Sequence, residues 1–292
     1  MDGFLNVLKS PGMSSHDVVG AVRRILQIKR VGHAGTLDPA AAGVLPVAVG
    51  KAARLIEYLA ASDKSYRAEI LLGMATDSGD VIGKITEQSA DFPMPSEAEL
   101  CEVLDGFCGT IPQRPPTFSA VKVNGRKACD MARQEKDVEI PERQVEIKSL
   151  KLLRVSPEER KFLIDVDCSK GTYIRSLCMD IGKRLGIPSL LFFLLRTRVG
   201  DFRLEDACTL EELEEMGEAA LLSPEAYLSH IAVYELPKER IKPFCNGLPT
   251  GDRTKQWPSL LRVYSEGEFL GIGRYDLTER AIYPVKVYRE HI

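Results

Sequence analysis

The apolar run in GFLNVLK, residues 3–9, breaks at Ser10-Pro11-Gly12 and predicts a short strand closed by a turn. In SSHDVVGAVRRILQI, Val18, Val22, Ile25 and Leu26 recur on one face. Ser14 with Asp17 three positions on makes a capping pair, so a helix starts there, with Arg23 and Arg24 pointing largely away from its core face. VGHAGTLDPAAAG is punctuated by Gly32, Gly35, Pro39 and Gly43 and reads as a loop. VLPVAV and KSYRAEILLG have strand character, with a helix expected between them around AARLIEYLA. Residues 142–168 hold strands rich in Val, Ile and Leu, and GTYIRSLCMDIGKRLG is a helix that stops at a glycine.

Strands and helices are mixed without a regular alternation, which predicts an α+β domain around a mixed sheet. From about residue 231 the pattern changes to short strands, with Ser265-Glu266-Gly267-Glu268-Phe269 as a hairpin turn. The expected division is 1–230 and a small β-rich module at 231–292, the alternative being an extension of the main sheet.

At 292 residues, with 44% hydrophobic and 28% charged positions, the chain suits one large domain or a large and a small one. No apolar stretch approaches the roughly 20 residues of a bilayer span, and the amino terminus lacks a basic leader before an apolar run. No membrane partner and no signal peptide are expected. The seven cysteines are scattered, odd in number and without a CxxC, as suits reduced thiols in a cytoplasm. The four histidines have no metal-ligand spacing, so a metal is not expected.

The net charge of −3 is unusual for a nucleic-acid binder until it is divided. Residues 201–225 hold nine acids and one base, a contribution of −8 that leaves +5 elsewhere. The acidic run reads as a solvated helix face, and an anionic partner that avoids it remains open.

The loop at 33–50 surrounds one carboxylate, Asp38, with small apolar residues. Asp-Pro often simply starts a turn; a loop this poor in charge also suits a carboxylate held for chemistry. Arg175 in KGTYIRS is a surface residue or the partner of a buried carboxylate, and the sequence does not bring it to Asp38. Tyr66 is a packing tyrosine or a site residue.

The segment GHAGTLDPAAAGVLPVAVGKAARL, 32–55, resembles the signature of the TruB family of tRNA pseudouridine synthases. Four further segments are similar in the same order: LKSPGMSSHDVV at 8–19, KSYRAEILLGMATDSGD at 64–80, CSKGTYIRSLCMDIG at 168–182 and LLRTRVGDF at 194–202. The resemblance implies that Asp38 is the catalytic aspartate, that Arg175 keeps it ionised, and that Tyr66 stacks on the flipped base near the proton transfer. It further implies that His33 fills space vacated in the T-loop, that Tyr173 and Leu195 line the pocket, and that Lys9 with Pro11 supports it.

By the same resemblance the substrate is uridine 55 in the T-arm stem-loop of tRNA, reached by base flipping. Residues 113–143, with seven bases against five acids, resemble an insertion that contacts RNA phosphates. Residues 231–292 resemble a PUA-like RNA-binding domain. A cytoplasmic, stand-alone monomer with no obligate protein partner and no cofactor is expected. The alternatives are a non-catalytic RNA-folding factor, a guide-RNA-dependent synthase that acts with accessory proteins, and an aspartyl hydrolase. The last would need a second catalytic carboxylate or a metal.

Overall fold

The computed structural model describes residues 1–60, 62–119, 121–123, 125–128, 131 and 140–289. In chain order its first elements are β1 (Gly3–Lys9), α1 (Ser15–Ile25), β2 (Val31–His33), β3 (Ala42–Val49), α2 (Ile56–Ala60), β4 (Lys64–Leu72), β5 (Met74–Thr76), β6 (Ile85–Gln88), α3 (Glu97–Asp105), β7 (Gly109–Gln113), β8 (Lys122–Val123) and β9 (Arg126–Lys127). These are followed by β10 (Arg143–Ser156), β11 (Lys161–Cys168), α4 (Ile174–Leu185), β12 (Ser189–Val199), β13 (Phe202–Arg203) and α5 (Leu210–Met216). The chain ends with β14 (Ala232–Glu235), α6 (Ile241–Cys245), β15 (Thr250–Gly251), β16 (Leu260–Ser265), β17 (Glu268–Asp276) and β18 (Ala281–Val287).

A nine-stranded sheet runs β1-β3-β12-β4-β11-β10-β7, with β2 on β3 and β13 on β12. All its pairings are antiparallel except β3 with β12, so the α+β, mixed-sheet expectation holds. In β4 the buried positions alternate and put Tyr66, Ala68, Ile70 and Leu72 on one face, as a strand's period of two requires. Ile174, Leu177, Cys178 and Ile181 of α4 pack in that same core. At the other end, Leu5 and Val7 of β1 meet Val18, Val19 and Val22 of α1. Helix α1 carries the expected capping box between Ser14 and Asp17. Helix α4 stops at Gly186, whose φ of +69° is open to glycine at low cost.

Three local readings change. The helix expected around AARLIEYLA is a tight 3₁₀ turn over Gly50–Leu55 followed by the short α2. The loop expected over 31–43 surrenders its ends to β2 and β3. The apolar run 189–199, to which no element was assigned, is the interior strand β12. The acidic segment does form a solvated face: in α5, Leu213 is fully buried between exposed glutamates, and its burial contributes roughly 2 kcal/mol.

The C-terminal strands form their own sheet, in the order β14-β16-β17-β18-β15. Phe269 and Ile272 of β17 pack in one cluster with Phe4, Val44 and Ala48 of the large sheet. The two sheets therefore share an apolar core. Of the expected insertion at 113–143, residues 120, 124, 129, 130 and 132–139 lie outside the described residues.

Candidate active site

The segment between β2 and β3 is pinned from below. The Ser15 hydroxyl accepts from Leu37 N at 2.9 Å and donates to Leu37 O at 3.2 Å. Gly12 N donates to Pro39 O at 2.9 Å. Lys9 is fully buried, with its Nζ donating to the carbonyls of Ser10 (2.9 Å), Met13 (2.7 Å) and Pro39 (3.3 Å). With Leu37 buried beneath it, Asp38 turns into a cavity of about 810 Å³. The cavity walls include Lys64, Tyr66, Asp80, Tyr173, Leu194 and Arg196.

Arg175 stands in the first turn of α4, its Nε 2.9 Å from Asp38 Oδ2 and 3.8 Å from Asp80 Oδ2. Its other nitrogens donate to Ser78 O (3.0 Å) and Phe118 O (2.9 Å). These carbonyls fix the guanidinium independently of either carboxylate. Burial pushes the Asp38 carboxyl above the usual range; Arg175 opposes this and Asp80 adds to it. Burial also lowers Lys64 and Lys9, each to about 8, and raises the Tyr66 phenol. Lys64 donates to Ser62 O at 2.8 Å.

The structure brings together Asp38, Arg175, Tyr66 and Tyr173, with the Arg143 guanidinium 4.8 Å from the centre of the Tyr173 ring. Leu195, Lys9 and His33 are not in the cavity wall. Side chains alternate along β12, so Leu194 and Arg196 face in and Leu195 faces away. Lys9, buried with its ammonium on three carbonyls, holds the loop from below. His33 ends β2 opposite Val47, outside the cavity wall. Burial first, then the positive charge of Arg196, lowers its imidazole pKa.

Asp80, Lys64 and Arg196 are cavity residues that sequence reasoning did not single out. Arg196 did leave a signal, being a cation inside the apolar run LLFFLLRTRV. Among the described residues there is no group of three or more His, Cys, Asp or Glu able to hold a metal, and no helix long and apolar enough to cross a membrane.

A model described as the TruB family pseudouridylate synthase N-terminal domain matches residues 23–174, and one for the tRNA pseudouridylate synthase B C-terminal domain matches 175–232. A protein named tRNA pseudouridine synthase B from Moorella thermoacetica is 46% identical over 98% of this chain and 98% of its own. One of the same name from Heliobacterium mobile is 45% identical over 94% of this chain and 90% of its own. A chain from the crystal structure of a Cbf5-Nop10-Gar1 complex superposes with a TM-score of 0.76 at 27% identity, covering 99% of this chain and 85% of that one.

Proposed function

The chain belongs to the TruB family of pseudouridylate synthases, and from that membership we propose that it isomerises uridine 55 in the T-loop of tRNA, with Asp38 as its catalytic group. The observation that carries the reading is the Asp38–Arg175 pair at 2.9 Å, set in a cavity that Tyr66 and Tyr173 also line. In the reaction the N1–C1′ bond breaks, the uracil turns, and a C1′–C5 bond forms. The proton lost from C5 is balanced by one gained at N1, so substrate and product are isomers. The ionised Asp38 faces C1′, as nucleophile or as base. Arg175 keeps it ionised against the burial that favours its neutral form. Tyr66 stacks on the uracil and sits beside the proton transfer. The site receives a base only after extrusion from the loop, at roughly a few kcal/mol, and His33 fills the space left behind.

We read residues 1–230 as the catalytic unit and 231–292 as a PUA-like domain that reaches along the tRNA. Its separate five-stranded sheet supports that division. The bases of the 113–143 segment contact phosphates. The chain acts alone, as a monomer in the cytoplasm, without obligate protein partners.

The test is tritium release from an unmodified tRNA labelled at uracil C5, with wild type and Asp38→Asn in parallel. Release by wild type alone is the expected outcome. Tight binding with release from neither would leave an RNA-binding protein and overturn the reading.

A further inference from the structure

Arg196 is 1% exposed, one of the largest fully buried side chains in the protein. Its Nε donates to Val44 O at 2.7 Å, Nη2 to Gly35 O at 3.2 Å and Nη1 to Thr36 O at 3.4 Å. These three carbonyls flank Asp38 in sequence on both sides. Tyr66 is the partner of Arg196 across the sheet, and both side chains line the cavity. No ion pair to a carboxylate involves Arg196 among the described residues. A guanidinium neutralised by no anion is costly to bury, and a leucine would fill an interior strand position at lower cost.

The sheet explains how one side chain reaches both groups. β12 lies between β3 and β4, and Arg196 is the register partner of Gly43 on one side and of Tyr66 on the other. Directly paired residues stand about 5 Å apart at Cβ. A Cβ on Gly43 would overlap the Arg196 backbone, so β3 runs against β12 as closely as glycine allows. Arg196 thus sits where the Asp38 loop and the Tyr66 strand meet.

We propose that Arg196 is a positioning residue for the isomerisation, holding the Asp38 loop by its carbonyls and the Tyr66 hydroxyl by a further N–H, so that both groups face the uracil in fixed relation. A phenol oxygen has one proton and two lone pairs. In the proposed arrangement one lone pair accepts from Arg196, which leaves the O–H to point into the cavity that the ring lines. Burial lowers the Arg196 pKa from its ordinary value, and Tyr66 opposes that shift. A lysine supplies one point charge and cannot reproduce the planar fork. The inference rests on the roles given above to Asp38 and Tyr66.

The test uses the full-length protein labelled with 3-fluorotyrosine, in which the Tyr66 ¹⁹F resonance is identified by its absence from Tyr66→Phe. In Arg196→Lys that resonance moves. Single-turnover isomerisation slows by roughly tenfold to a hundredfold, while tRNA affinity stays within a few-fold. On the Tyr66→Phe background, Arg196→Lys costs less than it does alone, because the partner is already missing.

An unmoved resonance, or losses that multiply in full in the double variant, overturn the proposal while leaving the Tyr66 reading intact. A Tyr66→Phe protein as fast as wild type overturns the Tyr66 reading itself. Should Arg196→Lys lack a native melting transition, Arg196→Gln takes the same two measurements.

Discussion

Gln113 and Tyr173 clasp one another by two hydrogen bonds: Gln113 Nε2 donates to Tyr173 O at 3.0 Å, and Tyr173 N donates to Gln113 Oε1 at 2.7 Å. The side-chain amide of Gln113, 1% exposed, thereby satisfies the backbone of the residue that precedes α4. Tyr173 is the N-cap of that helix and makes no side-chain cap bond; the clasp fixes its backbone where the helix begins. Gln113→Ala leaves both Tyr173 backbone groups without it and should lower unfolding free energy by about 1–3 kcal/mol. It should also slow turnover, because Arg175 lies two residues into the anchored segment. Urea unfolding beside a single-turnover assay checks both; unchanged stability would assign the anchoring to other contacts.

Asp38→Asn should abolish turnover and leave tRNA affinity within a few-fold. Arg175→Ala should reduce both activity and stability, since it leaves Asp38 and Asp80 facing each other across a vacated buried site. The contrast is measured by filter binding and by melting. A stable, active Arg175→Ala protein would remove Arg175 from the site.

The pH dependence of rate and of stability should run in opposite directions on the acid side. Asp38 must be ionised to act, and burial, reinforced by Asp80, raises its pKa. The acid limb of the single-turnover profile should therefore lie above the ordinary aspartate value of about 3.9. Asp80→Asn removes one raising influence and should move that limb to lower pH. For stability, a carboxyl whose pKa rises on folding binds more protons in the folded state. Its contribution falls as pH rises through the shifted value.

Lys9 should have the converse signature. Its pKa falls from 10.5 to about 8 on burial, so between these values the unfolded chain binds more protons and stability from this group rises with pH. The difference in unfolding free energy between wild type and Lys9→Met should grow between pH 8 and 10.5, by on the order of 1 kcal/mol. Parallel curves would show an unperturbed lysine.

Much of the fold was legible where a local rule and its burial agree. The Ser14–Asp17 capping box, the alternation of β4 and the glycine stop of α4 each follow from neighbours in sequence. β12 was not legible by alternation, because its apolar run is nearly continuous and suits a buried helix as well as an interior strand. Asp38 drew attention through its loop, and the resemblance joined it to Arg175. Their separation across the sheet is a tertiary distance with no local signature. Leu195, placed in the pocket by the resemblance alone, shows what register decides: one position along, the side chain changes faces. Asp80 and Lys64 were overlooked because charged residues next to glycine or in an alternating strand usually mean solvent.

The place of β12 in the sheet also dictates an order of events at birth. β3 and β4 are close in sequence but are separated in space by a strand that begins at Ser189. During synthesis the first part of the chain cannot complete its own sheet. The gap between the Asp38 loop and Tyr66 stays open until about two thirds of the protein has been made and β12 enters. Pairings across such long loops are slow to form, and incomplete sheets expose strand edges. The Asp38 loop and Tyr66 are consequently brought into one site only after that one strand has inserted.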